Sequence, residues 1–112
     1  MSKTKVPITS PDKQDSSGVD VAERPQISTP RMFAVVLLND DYTPMDFVIL
    51  VLRRFFGHNE EAAQKIMLDV HQQGSGVAGV FTLEVAEMKT MQVNQFAKMN
   101  QHPLKSTLRE VS

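Results

Sequence analysis

Apolar and polar positions change in blocks along the chain, and the first blocks predict a strand followed by a helix. Residues Met32–Leu38 form a continuous apolar run, which is typical of a buried strand. Thr43 suits the N-cap and Pro44 the first position of a helix that runs over residues 44–56, where Gly57 ends it. Asp46, three residues after Thr43, is placed to complete a capping box.

The same patterns predict four further elements. Asn59 caps a second helix, in which apolar residues recur at helical spacing until Gly74 ends it. A strand over residues 76–81, a third helix over Leu83–Met99 and a last strand over 104–111 follow. The order β-α-α-β-α-β predicts an α+β fold, with a three-stranded sheet covered by three helices on one side. The apolar stripe of the third helix comprises Val85, Ala86, Val93, Phe96 and Ala97.

The first predicted helix is apolar on nearly every side. One sheet can cover only one face of a helix, so the other face must meet a second helix, a ligand or a partner. Packing against the second helix is the simpler explanation for most of these side chains. Met45 lies in the first turn, beside the preceding loop, and is the residue we expect to escape that packing. The apolar positions are Met45, Phe47, Val48, Ile49, Leu50, Val51, Leu52, Phe55 and Phe56.

Composition divides the chain into two parts. Residues 1–31 contain no aromatic residue and four of the six prolines, and they are rich in Ser, Thr, Asp and Lys. Such a segment cannot bury enough apolar surface to offset its ordering entropy, so we predict a flexible N-terminal extension. Residues 32–112 hold all seven aromatic residues and six of the seven methionines, and we predict one core domain there.

Charge and residue usage exclude several classes of function. The formal net charge is −1, with five basic and four acidic residues in 1–31 and seven and nine in the rest. Neither part has the basic excess that phosphate binding needs, so nucleic acid is not an expected partner. The chain has no cysteine, so it has no disulfide and no thiolate metal site. This composition is compatible with a reducing cytoplasm, where we expect the protein to act. We expect no secretory signal and no membrane span, because the apolar runs are too short. We also expect no metal or cofactor, because no ligand pattern is present.

The polar stretch Asn39-Asp40-Asp41 interrupts the apolar pattern between the first strand and the first helix. For this stretch alone a turn is the favoured interpretation, since all three side chains bond local backbone well. A calcium loop is disfavoured because the required glycine and closing glutamate are missing. A metal site formed by Asp40, Asp41 and His71 is chemically possible but lacks supporting spacing, and an Asp–His catalytic pair lacks a recognisable nucleophile.

Two further polar residues fall on apolar helical faces. His71 lies at the edge of the stripe of the second helix, where a lone histidine is more often a hydrogen-bonding residue than a ligand. Lys89 falls within the stripe of the third helix, where it can extend past the apolar side chains or join a contact surface with Glu84. His58 follows a helix-ending glycine and His102 precedes a proline, and we interpret both as loop residues without a special role.

Four stretches together resemble the ClpS adaptor family. They are LLNDDYTPMDFVI, AAQKIMLDVHQQG, AGVFTLEVAEMK and NQHPLKSTL. The resemblance covers essentially all of residues 32–110, and its specificity lies in the combination of NDDYTPM, a helix ending in VHxxG and a closing HPL. It implies a fold similar to the C-terminal domain of the large-subunit ribosomal stalk protein, preceded by a variable tail.

The resemblance implies a non-enzymatic, ATP-independent adaptor of the bacterial N-end rule. ClpS proteins bind the N-terminal residue of a protein destined for degradation, usually Leu, Phe, Tyr or Trp. They deliver it to the AAA+ unfoldase ClpA and its protease ClpP. The expected partners are therefore substrate N-termini and a ClpA-type unfoldase, and we expect the adaptor itself to be a monomer.

The resemblance also implies roles for individual residues. Asn39, Asp40 and His71 match the family residues that hold the free α-amino group. Met45 matches the methionine that guards the family's side-chain pocket against β-branched residues. Glu84 and Lys89 match an acid and a lysine of the surface that faces the unfoldase. The other matches belong to the side-chain pocket and its rim, namely Asp41, Thr43, Val48, Met67, Val70 and Leu104.

Two other classes of function remain open at the level of sequence. A structural module similar to the ribosomal stalk domain would have no ligand pocket, and its first helix would be wholly covered by the second. A small hydrolase using Asp40 and His71 would turn over a peptide or an ester, although no nucleophile motif supports it.

Overall fold

The computed structural model describes residues 30–111, which form three helices and a three-stranded antiparallel sheet. The predicted element order and α+β class are both confirmed. The predicted N-terminal extension lies outside the described residues, apart from Pro30 and Arg31. In chain order the elements are β1 (Met32–Leu38), α1 (Met45–Phe56), α2 (Glu60–Gln73), β2 (Ser75–Thr82), α3 (Leu83–Met99) and β3 (Lys105–Glu110).

β1 is the central strand and pairs antiparallel with β2 on one side and β3 on the other. Ala34, Val35 and Leu37 have no exposed surface, although consecutive side chains of a strand point to opposite faces. Both faces of β1 are therefore shielded at its centre. This shielding explains why its sequence is an unbroken apolar run rather than an alternation of apolar and polar residues.

α1 is enclosed by both other helices. Its Phe47 ring stacks on Phe96 of α3, with centroids 5.4 Å apart, and its Phe55 ring meets Phe96 edge-on at 5.2 Å. The prediction that α2 covers the spare face of α1 was therefore incomplete, because α3 covers part of it. Met45 and Leu50 remain 46% and 45% exposed. The buried core comprises Leu37, Phe47, Val48, Val51, Leu52, Ala63, Met67, Val70, Ala78, Val93, Ala97 and Leu104.

The predicted helix ends are mostly confirmed. Gly57 and Gly74 terminate α1 and α2 in left-handed backbone conformations, with φ of 70° and 88°. The Asn59 side chain accepts a 2.8 Å hydrogen bond from the N–H of Ala62 and so caps α2. Thr82 precedes α3 as predicted, but its side chain makes no capping hydrogen bond.

The predicted cap of α1 was wrong, and the helix starts one residue later than predicted. The helix begins at Met45, Pro44 occupies the N-cap position, and no side chain caps the helix. Thr43 instead donates both its N–H and its hydroxyl to Asp40, at 2.7 Å each. Because the amide of Thr43 is already bonded in this way, Asp46 has no capping box to complete.

The predicted apolar stripe of α3 is confirmed except at Val85. Ala86, Val93 and Ala97 are buried, whereas Val85 is 36% exposed. The Lys89 ammonium turns inward and donates a 2.6 Å hydrogen bond to the carbonyl oxygen of Phe55, in the last turn of α1. A cation there pairs with the negative end of the helix dipole, so Lys89 fastens α1 to α3.

Polar contacts hold β3 in place. The Asn94 side-chain oxygen accepts hydrogen bonds from the N–H of Ser106 at 2.7 Å and from its hydroxyl at 3.0 Å. At the other end of β3, the Arg31 guanidinium donates two hydrogen bonds to the Glu110 carboxylate, at 2.8 and 2.9 Å. The strand spans Lys105–Glu110, so it starts one residue later and ends one residue earlier than predicted, and Leu104 before it is buried in the core.

Candidate functional site

A cavity of about 350 Å³ opens where the loop between β1 and α1 meets α1 and α2. The polar part of its lining consists of Asn39, Asp40, Asp41, Thr43 and His71. The apolar part of the lining consists of Met45 and Val48 from α1 with Met67 and Val70 from α2. The fold thus brings together all three residues predicted for the α-amino group and nearly all of those predicted for the side-chain pocket.

One backbone hydrogen bond ties the loop to the end of α2. The N–H of Asn39 donates to the carbonyl oxygen of Gly74 at 3.0 Å, one step beyond the last strand pair, Leu38 with Ser75. Gly74 ends α2, and His71 lies in the last turn of that helix. The pairing of β1 with β2 therefore carries the loop to the place where His71 is found.

Asp40 organises the loop with three hydrogen bonds. Its Oδ1 accepts from the N–H groups of Tyr42 and Thr43 at 2.8 and 2.7 Å, and its Oδ2 accepts from the Thr43 hydroxyl at 2.7 Å. The turn interpretation is therefore confirmed for Asp40. A carboxylate offers about four acceptor positions, so about one remains for a ligand.

The environment keeps Asp40 ionised. Burial alone would raise the pKa of this carboxyl group, but the Thr43 hydroxyl, the Tyr42 and Thr43 amides and the charge of His102 outweigh burial and lower it below 3.8. The rim of the cavity therefore carries a negative charge at neutral pH. Such a charge favours a cationic ligand beside it.

Asn39 and His71 supply neutral acceptors at the same rim. Both side chains are exposed and line the cavity, so a ligand can reach them from solvent. The amide oxygen of Asn39 and one ring nitrogen of a neutral His71 can each accept a hydrogen bond. Together with Asp40 they form a concentration of acceptors suited to a group with several N–H donors.

The apolar wall combines three buried residues with one exposed methionine. Val48, Met67 and Val70 are only 6%, 9% and 3% exposed, whereas Met45 is 46% exposed. Met45 therefore escapes the helix packing, as its position beside the loop predicted. Its side chain has three rotatable bonds and can adapt to what enters the cavity.

Three predicted site residues lie elsewhere. Leu104 is 2% exposed in the core and lines a separate depression with Lys98 and His102. Glu84 is exposed at the start of α3, while the Lys89 ammonium points inward to Phe55. The structure therefore does not present Glu84 and Lys89 as a pair of outward-facing charges.

Sequence reasoning missed two lining residues and left open alternatives that the structure decides. Tyr42 and Pro44 also line the cavity, and their place between identified loop residues could have revealed them. Within residues 30–111, no group of three His, Asp or Glu residues is placed to hold a metal ion, so the alternative site of Asp40, Asp41 and His71 is not formed. No helix in this part of the chain has the length and apolar character needed to cross a membrane.

An α+β fold whose cavity joins an apolar wall to polar residues, including an ionised carboxylate, has the form of a small ligand-binding domain. The sequence model of the family described as ATP-dependent Clp protease adaptor protein ClpS matches residues 28–107. The chain therefore belongs to the ClpS family of Clp protease adaptors, and the resemblance found in the sequence is confirmed. The alternative of a structural module similar to the ribosomal stalk domain, without a ligand pocket, does not account for the cavity.

Named relatives and a solved structure agree with this assignment. The ATP-dependent Clp protease adapter protein ClpS of Bdellovibrio bacteriovorus is 62% identical over 109 residues, which cover 97% of this chain and 92% of that protein. The ClpS of Rhodospirillum centenum is 56% identical over 97 residues, covering 87% and 90% of the two chains. The structure of Agrobacterium tumefaciens ClpS2 bound to L-phenylalaninamide matches with a TM-score of 0.72 at 35% identity, over 74% of this chain and 100% of that one.

Proposed function

We propose that the cavity binds the free N-terminal residue of a substrate protein. The observation that carries the proposal is one cavity in which the ionised Asp40, with Asn39 and His71, borders an apolar wall. The ligand of the ClpS2 relative supports it, because L-phenylalaninamide joins a free α-amino group to an apolar side chain. This chain would hold the same two chemical groups in the two parts of its cavity.

The amino group is recognised by charge and by hydrogen bonds. An α-ammonium carries a full positive charge and three N–H donors, and it needs acceptors on more than one side. Asn39 and His71 accept two of these hydrogen bonds, and Asp40 supplies the opposite charge with its remaining acceptor position. Acetylation removes the positive charge and two donors, so an acetylated N-terminus leaves Asp40 without a counter-charge.

The side chain is recognised by burial and shape. Burying a Leu or Phe side chain contributes about 1.5 to 3 kcal/mol. Met45 and Met67 are flexible enough to fit both branched aliphatic and aromatic guests, which suits Leu, Phe, Tyr and Trp. A Val or Ile guest branches at Cβ, at the cavity mouth, where Met45 crowds it. Selectivity is then a difference between binding free energies.

Peptides that differ only in their first residue test whether the cavity selects that residue by the burial and shape of its side chain. We expect peptides beginning with Leu or Phe to bind about ten to a hundred times more tightly than one beginning with Ala. Replacing Met45 with Ala should raise the affinity for a Val-starting peptide relative to a Leu-starting one. Equal affinity for all first residues in fluorescence anisotropy titrations would contradict the proposal.

We further propose that the protein delivers its bound substrate to a ClpA-type AAA+ unfoldase for degradation by ClpP, without catalysis or ATP use of its own. The family membership supports this step. Glu84 is exposed and available to such a partner, and Lys89 supports the same surface through its contact with α1. Residues 1–31, as a predicted flexible extension, would raise the effective concentration of substrate at the unfoldase.

Degradation assays with purified components test the delivery step. A reporter protein with an N-terminal Phe should be degraded by the unfoldase and ClpP only when this protein is added. Glu84→Ala should reduce that degradation while leaving peptide affinity unchanged. Degradation at the same rate without the protein would contradict the adaptor role.

A further inference from the structure

The junction between α2 and β2 joins both halves of the proposed amino-group site. Gly74 ends α2 with φ of 88° and ψ of −15°, and its N–H bonds to the carbonyl oxygen of Val70. Its own carbonyl oxygen accepts the 3.0 Å hydrogen bond from the N–H of Asn39. We call this bond between Asn39 and Gly74 the latch.

The latch is the backbone bond, outside the strand ladders of residues 30–111, that joins the β1–α1 loop to the end of α2. Asn39 and Asp40 lie on the loop side of it, and His71 lies three residues before Gly74 on the helix side. The direction of the Gly74 carbonyl therefore affects how far the loop acceptors are from the His71 ring. That direction depends on the left-handed backbone conformation of Gly74.

We propose that Gly74 is a positioning residue of the amino-group site, which sets the separation between Asn39 and His71 through the latch. The inference rests on the proposed capture of a free α-amino group. A residue with a Cβ disfavours this backbone conformation. A Cβ built at Gly74 meets no heavy atom within 4 Å, so steric contact adds nothing to the backbone strain. Relief of that strain rotates the carbonyl and weakens the latch.

The chain contains a matched control for this substitution. Gly57 also ends a helix in the left-handed conformation, with φ of 70°, although its N–H bonds to Leu52, five residues back, and a Cβ built there also meets nothing within 4 Å. Gly57 does not line the cavity and lies at the other end of α1 from Met45. Gly57→Ala therefore imposes a similar backbone strain at a distance from the site.

The test compares Gly74→Ala with Gly57→Ala in the full chain. We expect both variants to lower the midpoint of thermal unfolding by about 4 to 8 °C. Affinity for a Phe-starting peptide with a free N-terminus should fall about tenfold or more in Gly74→Ala, and by less than about twofold in Gly57→Ala. Amide hydrogen exchange at Asn39 should accelerate in Gly74→Ala alone, which a general loss of stability does not produce.

Equal affinities for the two alanine variants would overturn the inference, as would unchanged exchange at Asn39 in Gly74→Ala. If Gly74→Ala fails to fold, Gly74→Asn and Gly57→Asn repeat the comparison, because Asn tolerates the left-handed conformation better. An affinity for the Phe-starting peptide that is lower in Gly74→Asn than in Gly57→Asn, by a smaller factor than for the alanine variants, then supports the inference. Equal affinities of the two asparagine variants again overturn it. Failure of the wild-type protein to prefer the free peptide over its acetylated copy would instead refute the proposed function, which separates the two failures.

Discussion

At the scale of single residues, Asp40 combines a structural task with a charge. The sequence alone offered a turn and a cation site as competing interpretations of Asn39-Asp40-Asp41. The structure shows three hydrogen bonds to the Asp40 carboxylate from its own loop. These bonds stabilise the ionised form, so the contacts that make the turn also maintain the negative charge at the cavity.

Acid titration should reveal the structural task of Asp40. Its pKa is lower in the folded protein than the ordinary value of 3.8, so the folded state binds this proton less tightly than the unfolded chain does. The resulting stabilisation is complete above pH 3.8 and is lost as the pH falls through the folded value.

We expect Asp40→Asn to remove this part of the acid dependence of stability, measured by denaturant unfolding at a series of pH values. Asp41→Asn is the matched control, because Asp41 is exposed in the same loop. An acid dependence that changes equally in the two variants would contradict the account of Asp40.

His71 should make peptide binding sensitive to pH. A protonated imidazole loses its acceptor and repels the ammonium of the guest. We therefore expect affinity for a Leu- or Phe-starting peptide to be lower in mildly acidic solution than at neutral pH. His71→Asn keeps an acceptor that is not lost by protonation, so its affinity should change less between the two conditions. A variant that retains the pH dependence of the wild type would exclude His71 as its source.

At the scale of elements, local rules predicted β1 and α3 with their observed bounds, and the ends of α1 and α2 at Gly57 and Gly74. The start of α1 was mispredicted because an N-cap rule considers Thr43 and the helix alone. In the structure, Asp40 competes for both the amide and the hydroxyl of Thr43 and bonds them.

Lys89 shows a second limit of local prediction. A helical projection placed it in an apolar stripe but could not identify what its ammonium would meet. The ammonium donates a hydrogen bond to the carbonyl oxygen of Phe55 in α1. It also lies 5.9 Å from the ring centroids of both Phe56 and Phe81. Contacts between elements distant in sequence decide such a question.

Replacing Lys89 should measure what this contact contributes. Lys89→Met keeps the length of the side chain but leaves the Phe55 carbonyl without its donor, so we expect the free energy of unfolding to fall by about 1 to 3 kcal/mol. Lys98→Met is the control, because Lys98 is an exposed lysine in the last turn of the same helix. Chemical denaturation measures both changes, and equal effects at the two positions would contradict the structural role of Lys89.

At the scale of the whole molecule, the site joins a loop and a helix end that are far apart in sequence. No spacing rule could predict that Asn39 and Asp40 would share a cavity with His71, and only the family resemblance indicated it. The physical cause is the antiparallel pairing of β1 with β2, which sets Leu38 opposite Ser75 immediately after α2. Leu104 was placed at the cavity by resemblance alone, whereas in the structure it lines a separate depression beside Lys98 and His102.

Truncation should separate binding from delivery. A chain lacking residues 1–29 retains every contact described around the cavity, so we expect its affinity for a Phe-starting peptide to match that of the full chain within about twofold. The truncated chain should nevertheless support little degradation of an N-degron reporter, because the tether is gone. Normal degradation by the truncated chain would contradict the role proposed for the extension.

The central claim is that the cavity recognises a free α-amino group, and one calorimetric titration tests it most directly. A peptide beginning with Leu or Phe and its N-acetylated copy differ only in the amino group and are titrated into the full chain near neutral pH. The account predicts measurable binding of the free peptide, and affinity lower by about a hundredfold or more for the acetylated one, because Asp40 loses its counter-charge. Equal affinity for the two peptides would contradict the account.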